Sequence, residues 1–257
     1  MTTETTAMRV RGVSRTYRDG IHSVTALEGT DLDIPDGKFV SIVGPSACGK
    51  STLLNLFCGL DQPDAGSIET PALGTGKLLG RVGYMPQQDV LMPWRNVTDN
   101  AAVGLECMGC AHDDARRQAS EHMDRFGLNG FEHSFPGQLS GGMRQRVAML
   151  RTFLCGRKIN LLDEPFGKLD AITRASMQTW LLDYWQENRC TIVFVTHDID
   201  EALFLSDVVH LMSPRPGRIV LSLEVDVPRP RKYGEVVTSV HFNELKSRLL
   251  QSLGRVA

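Results

Sequence analysis

Gly44-Pro45-Ser46-Ala47-Cys48-Gly49-Lys50-Ser51, followed by Thr52, has the spacing G-x-x-x-x-G-K-[ST]. The residue types suit the grip of a phosphate anion. Glycines let backbone N–H groups curl around phosphate oxygens with no Cβ in the way. Lys50 offers a charge to β- and γ-phosphates, and Ser51 offers a hydroxyl to Mg²⁺. An apolar run precedes the loop and an apolar helix follows it. The N-terminal N–H groups of that helix, and the positive end of its dipole, would face the same anion.

Two further clusters carry oxygen and nitrogen chemistry. Leu161-Leu162-Asp163-Glu164 closes a buried-type strand. A carboxylate at the C-terminal end of a parallel strand lies where open α/β sheets bind ligands. There Asp163 would hold Mg²⁺ through water, and Glu164 would polarise an attacking water as a general base. Alone, such a pair reads equally well as a helix N-cap; the phosphate loop gives it its weight. Thr196-His197-Asp198 ends another strand in the same way. His197 there could hydrogen-bond a γ-phosphate, although a histidine at a strand end is more often a capping or core group.

These groups need elements to bring them together. The first clear strand spans 38–43, entered from the turn Pro35-Asp36-Gly37. A helix over 50–58 follows, with Gly59 placed to cap its C-terminus. Buried-type strands over 159–162 and 191–195 flank a helix at about 171–188. Strand, helix, strand in that order predicts a parallel sheet with right-handed crossovers. Runs at 207–212 and 218–225 add strands, and a helix at about 242–250 closes the chain. Residues 113–126 have Ala115, Ala119, Met123 and Phe126 at helical spacing, with Gly127 ending the helix. The stretch from about 89 to 156 lacks strong strands and reads as an inserted helical subdomain.

The chain has 257 residues, 42% hydrophobic and 23% charged, with a formal net charge of -2. That favours one domain with an insertion and gives no basic surface for bulk nucleic-acid binding. No run approaches the roughly 18 apolar residues of a membrane span, and 1–7 lack a secretory signal pattern. The six cysteines read as free thiols. Cys107 and Cys110 form a C-x-x-C near His112, but no second pair stands at zinc spacing, so two small apolar side chains is the favoured reading. The basic run Pro228-Arg229-Pro230-Arg231-Lys232 reads as a solvated linker.

Leu139-Ser140-Gly141-Gly142-Met143-Arg144-Gln145-Arg146 resembles the LSGGQ signature of ABC ATPases, which other P-loop kinases and GTPases lack. A serine and two glycines at a helix start again expose N–H groups to a phosphate. The resemblance covers about 8–217. It implies an α/β P-loop ABC cassette with a mostly parallel core sheet, an antiparallel β portion, an inserted helical subdomain and a C-terminal extension at about 226–257. It implies ATP hydrolysis with Mg²⁺, the signature of one copy closing over the nucleotide of a second in a head-to-tail pair. By the same resemblance Tyr17 matches the residue that stacks on adenine, Gln87 the glutamine that touches Mg²⁺ and reports to a membrane partner, and His197 the switch histidine. Gly167-Lys168-Leu169-Asp170 matches the loop that crosses between the two copies.

A narrower resemblance, to importers of nitrate, sulfonates, taurine and related solutes, rests on Leu91-Met92-Pro93-Trp94, Asp163-Glu164-Pro165-Phe166-Gly167, Thr196-His197-Asp198 and Arg215-Pro216-Gly217-Arg218-Ile219. Leu150-Arg151-Thr152 resembles members proposed for thiamine-precursor pyrimidines. The expected partners are a second copy, permease subunits and, through them, a solute-binding protein, with the chain cytoplasmic and peripheral on the inner membrane face. A soluble ABC ATPase acting on DNA or ribosomes, or a regulatory nucleotide-binding module, are the rival readings. Ala47 in place of Gly, Met143 in place of Gln, Asn160 inside an apolar strand, Lys168 in place of a small apolar residue and Pro86 in place of Phe depart from the family pattern without removing a catalytic group.

Overall fold

A computed structural model describes residues 5–255. Two long strands open the described chain, β1 (Thr6–Asp19) and β2 (His22–Pro35), joined in antiparallel register from Thr6↔Pro35 to Asp19↔His22. With β4 (Ala65–Glu69), which pairs antiparallel to β1, they form a three-stranded sheet in the order β2-β1-β4. The sequence does not announce this pair. Several register irregularities interrupt β1 and β2 and break the period-2 alternation that marks a half-buried strand. Gly12 and Gly29, both at positive φ, lie within the irregular stretch.

The second sheet has six strands. β3 (Phe39–Val43), β6 (Ile159–Asp163), β7 (Thr191–Thr196) and β8 (Val208–Met212) join β5 (Gly83–Met85) and β9 (Ile219–Glu224) in the order β5-β6-β7-β3-β8-β9. Every pairing is parallel except that of β8 with β9. All residues of β3, β6 and β7 are buried, which is why each reads as a near-continuous apolar run. Asn160 is the exception in β6. Its Nδ2 donates to the Arg157 carbonyl at 3.0 Å, while its Oδ1 has no partner. Gly83 stands opposite it in register; a Cβ there would fall 2.3 Å from that oxygen.

Helix α1 (Lys50–Cys58) leaves the phosphate loop and is closed by Gly59, whose φ of 77° takes the left-handed cap conformation. The inserted region is helical: α2 (Val97–Cys107), α3 (His112–Glu121) and α4 (Gly141–Leu154). The single helix expected over 113–126 is not continuous. α3 stops at Glu121 and a separate 3-10 turn holds Asp124–Phe126, with Gly127 at positive φ behind it. Ala115, Ala119, Met123 and Phe126 are all buried regardless, so the apolar periodicity marked a face that survives the break.

α5 (Ala171–Asn188) joins β6 to β7, and α6 (Ile199–Leu205) joins β7 to β8. Past β9 come α7 (Tyr233–Val236) and α8 (Val240–Gly254). One apolar cluster joins the helical insertion to α5 and the sheet, a second joins β1 and β2 to α1, and a third seats α8 on β8, β9 and α6. The basic run at 228–232 corrects the solvated-linker expectation. Arg231 is 8% exposed, and Arg229 is part-buried against Asp207. No described helix is long and apolar enough to cross a membrane.

Candidate active site

β3, β7 and β6 are neighbours, and their C-terminal ends lie level: Val43 pairs with Thr196, and Asp163 with Val195. The phosphate loop, the acidic pair and His197 therefore emerge along one sheet edge, where parallel α/β sheets bind ligands.

A cleft of about 290 Å³ opens above the phosphate loop. Ser46, Ala47, Gly49, Lys50, Ser51 and Thr52 line it together with Gln87, Glu164 and Tyr17. Gly44 and Cys48 of the same loop are buried and Pro45 is half-buried. Lys50 is 6% exposed, and its Nζ donates to the Gly44 and Pro45 carbonyls at 2.8 Å each. Its third contact is the Cys48 sulfur at 3.9 Å, and a buried cation bonded to neutral groups is prepared for an anion. Burial pushes the Cys48 thiol up, so it stays protonated behind the loop.

Two loop residues have left-handed backbone. Gly49 has φ 109° and sits against Ala26, whose carbonyl would lie 2.8 Å from an added Cβ. Ala47 has φ 60°, a conformation an L-residue adopts at a cost. Its alanine therefore holds the shape that glycine would take freely.

Asp163 is 2% exposed. Burial pushes its carboxyl above the ordinary carboxylate range; the Ser51 hydroxyl, donating to it, and the Lys50 charge pull it back. That pair tests the Mg²⁺ expectation. A buried carboxylate bonded to a hydroxyl, with the Gln87 amide across the cleft, is a hard-oxygen donor set short of positive charge. Among the described residues no group of three or more His, Cys, Asp or Glu could hold a metal. The donor set of Ser51, Asp163 and Gln87 fits a hard cation such as Mg²⁺, whose other ligands would be phosphate and water oxygens.

Glu164 is held in a strained position. Its φ is 47°, in the left-handed region that a non-glycine residue occupies only when its surroundings enforce it. The enforcement is visible. Its N–H donates to the Val195 carbonyl at 2.9 Å, and its own carbonyl accepts from Gln145 Nε2 at 3.0 Å and from Gly167 N at 3.2 Å. The carboxylate spans two partners: Gln87 Nε2 donates to Oε2 at 3.2 Å, and His197 Nδ1 lies 3.3 Å from Oε1. His197 has a side chain 63% exposed, open to incoming groups.

Tyr17 is 40% exposed, its hydroxyl donates to Asp61 Oδ2 at 3.0 Å, and the Arg15 guanidinium lies 5.0 Å from its ring centroid. The ring is thus fixed at the rim, able to offer a face to a planar base.

The signature residues stand apart from this cleft. Ser140 caps α4, its Oγ accepting from Met143 N at 3.2 Å. Leu139 is buried, and its carbonyl accepts from Arg144 Nη1 at 2.7 Å. The next loop packs on the signature glycines: a Cβ on Gly142 would meet Leu169 Cδ2 at 3.1 Å, and one on Gly141 would meet Lys168 Cδ at 3.8 Å. Asp170 caps α5 through Ile172 N and Thr173 N, bonds that hold its carboxyl below the usual range. No signature residue lines the cleft that Lys50 lines.

Three further residues contribute that the motifs alone do not single out. Gln145, 3% exposed, joins the acidic pair to the Lys168 loop by donating to the Glu164 carbonyl and accepting from Lys168 N at 2.9 Å. Asp89, two residues past Gln87, takes an ion pair from Arg144 at 3.2 Å and from Lys168 at 3.6 Å. Arg215 also lines the cleft. Gln145 stands inside the signature run, but its two bonds, like the other two contributions, depend on packing across the fold.

The ABC transporter family profile matches residues 27–167, more than half of the chain. The chain belongs to the ABC transporter family. This ABC cassette is an ATPase, and its relatives agree along nearly the full length. It is 39% identical over 246 residues to the aliphatic sulfonates import ATP-binding protein of Bacillus cereus, covering 96% of this chain and 95% of that one. It is 40% identical over 232 residues to the taurine import ATP-binding protein of Yersinia pestis, covering 90% and 91%. Among solved structures, the ABC cassette resembles a dimeric ATP-binding cassette in a post-hydrolysis state bound to ADP and Pi. The TM-score there is 0.77 at 30% identity, over 86% of this chain and 100% of that one.

Proposed function

We propose that this cassette is the motor of an importer, in which two copies bind ATP between them and drive permease subunits that carry a small sulfonate-like anion. The observation that carries the reading is the split phosphate machinery. Lys50 and its loop floor one cleft, while the capped, glycine-bearing start of α4 lies outside it. A second copy placed head to tail would bring Ser140, Gly141 and Gly142 over the first copy's phosphates. The dimeric neighbour and the sulfonate- and taurine-import relatives support this.

In the closed pair Lys50 and the loop N–H groups neutralise the β- and γ-phosphates. Tyr17 stacks on the base. Ser51, Asp163 and Gln87 would hold Mg²⁺, which when bound supplies charge neutralisation on the phosphates. Glu164 accepts a proton from water as that oxygen attacks the γ-phosphorus and the bond to the ADP oxygen breaks. His197, beside Glu164, hydrogen-bonds the γ-phosphate and registers its departure. Gln87 touches Glu164 and leads toward Trp94, which is 74% exposed, so the segment between them offers a face to a permease. The whole chain then works as one cassette, peripheral on the membrane through that permease.

The test is light scattering of the Glu164→Gln protein with saturating MgATP. Removing the carboxylate leaves binding intact and blocks turnover, so the mass should double to that of a pair. A protein that binds MgATP and stays monomeric contradicts the reading.

A further inference from the structure

The His197 side chain is largely exposed and meets Glu164 at 3.3 Å, so its placement depends also on its backbone. That backbone leads at once into α6, with Asp198 capping the helix through Asp200 N and Glu201 N. Thr196, on the other side, donates to the buried Glu201 at 2.6 Å. His197 is thus fixed between a strand end and the first turn of α6.

α6 has seven residues. A helix of that length is marginal on its own and leaves its last carbonyls without partners. The structure supplies partners from the C-terminal extension. Arg231 Nη1 donates to the carbonyls of Leu203, Phe204 and Ser206 at 3.0, 2.9 and 2.8 Å. Arg229 Nη2 donates to the Leu205 carbonyl at 2.7 Å and to Asp207 at 2.9 Å, and its guanidinium lies 4.4 Å from the Trp185 ring centroid. Asp207 in turn accepts from Phe39 N at 3.0 Å, at the start of the strand that leads to the phosphate loop. At the other end of α6, Lys246 of α8 pairs with Asp200 at 2.7 Å. Both ends of the helix are therefore gripped by cations from beyond β9, and two of those cations sit at a helix C-terminus, where positive charge is favoured. Burial pulls Arg231 down to about 10, which leaves it charged at neutral pH.

We infer that Arg231, with Arg229 and Lys246, is a positioning residue for hydrolysis: the C-terminal extension clamps α6 and so aims His197 at the γ-phosphate beside Glu164. The inference rests on the His197 role proposed above. It turns residues 226–255 from an appendage into part of the catalytic support, and it explains why a run of arginines and prolines is folded inward.

The experiment uses the full chain and single-turnover phosphate release from radiolabelled MgATP, so that slow variants stay measurable. Arg231→Lys keeps the charge but not the fan of donors. It should lower the rate of hydrolysis about tenfold, as misplacement of a reacting group does, and leave the KM for ATP within about twofold, because the loop that binds phosphate is untouched. In a His197→Ala background the same substitution should cost nothing further, since its effect passes through the missing imidazole. A wild-type rate for Arg231→Lys, or a full tenfold loss added to that of His197→Ala, overturns the inference. If Arg231→Lys fails to fold, Lys246→Met is read in the same way; its ion pair is partly exposed, so a smaller loss of about threefold is expected, again absent without His197. His197→Ala with full activity would instead remove the underlying role of His197, an outcome distinct from an impaired His197→Ala protein in which the second loss simply adds.

Discussion

Gly217 links the far end of the chain to the phosphate loop, and a single methyl group there should disable the site. Its N–H donates to the Ala26 carbonyl at 2.9 Å, and its carbonyl accepts from Glu28 N at 3.2 Å and Thr30 Oγ1 at 3.1 Å, so the residue cannot move away. A Cβ would lie 2.1 Å from the Cys48 carbonyl oxygen and 2.7 Å from Met212 Cε. The methionine end can swing aside, but the Cys48 carbonyl belongs to the loop itself. Carbon and oxygen sit at about 3.3 Å or more, so the loop must retreat by roughly 1 Å. Overpacking of that kind costs about 1–3 kcal/mol of stability. A 1 Å displacement of groups that hold the reacting atoms costs about a hundredfold in rate, or about 2.7 kcal/mol. Gly217→Ala should therefore show kcat/KM for MgATP down by about two orders of magnitude and a lowered urea midpoint. Gly234→Ala is the control, because a Cβ there meets nothing within 4 Å. Wild-type kcat/KM in Gly217→Ala would refute the claim that this glycine braces the loop.

Other outcomes follow from the same structure. Ala47→Gly should raise the melting temperature: relieving a left-handed L-residue regains about 1–2 kcal/mol, the added chain entropy of glycine removes about 0.5–1, and the balance is about 2 °C; a lower melting temperature contradicts the strain at φ 60°. Lys50→Ala should abolish hydrolysis in a phosphate-release assay, and retained turnover would sink the assignment of the phosphate loop. His210, buried with its Nδ1 bonded to Ser222, is pulled by burial down to about 4. The unfolded chain then binds this proton first, so stability should fall as pH drops from about 6.5 toward 4, by up to about 1.4 kcal/mol per pH unit from this group. Urea titrations of His210→Gln should show a shallower acid slope; an unchanged slope contradicts the burial argument.

The catalytic edge of the sheet was legible because its information is local. Strand, glycine loop and helix stand consecutively at 39–58, and Asp163 and Thr196 each end a fully buried strand. What stayed hidden depends on distant partners. The bulged pairing of β1 with β2 destroys the alternation that would have announced it. The break after Glu121 keeps every apolar residue on the same face, so periodicity alone joins what the backbone separates. Arg231 reads as a surface charge until α6, some 25 residues earlier, presents the carbonyls that bury it. Gln145 lay inside a motif read for its glycines, yet its amide ties Glu164 to the Lys168 loop.

The central claim, an ATP-driven motor for a membrane importer, is tested most directly by tagging this chain in its own host, extracting membranes in mild detergent and identifying what co-purifies. The account predicts a multi-span permease in stoichiometric amount, with a solute-binding protein whose ligand is a small sulfonate-like anion. Recovery of ribosomes, nucleic acid or only soluble proteins from well-extracted membranes would contradict it.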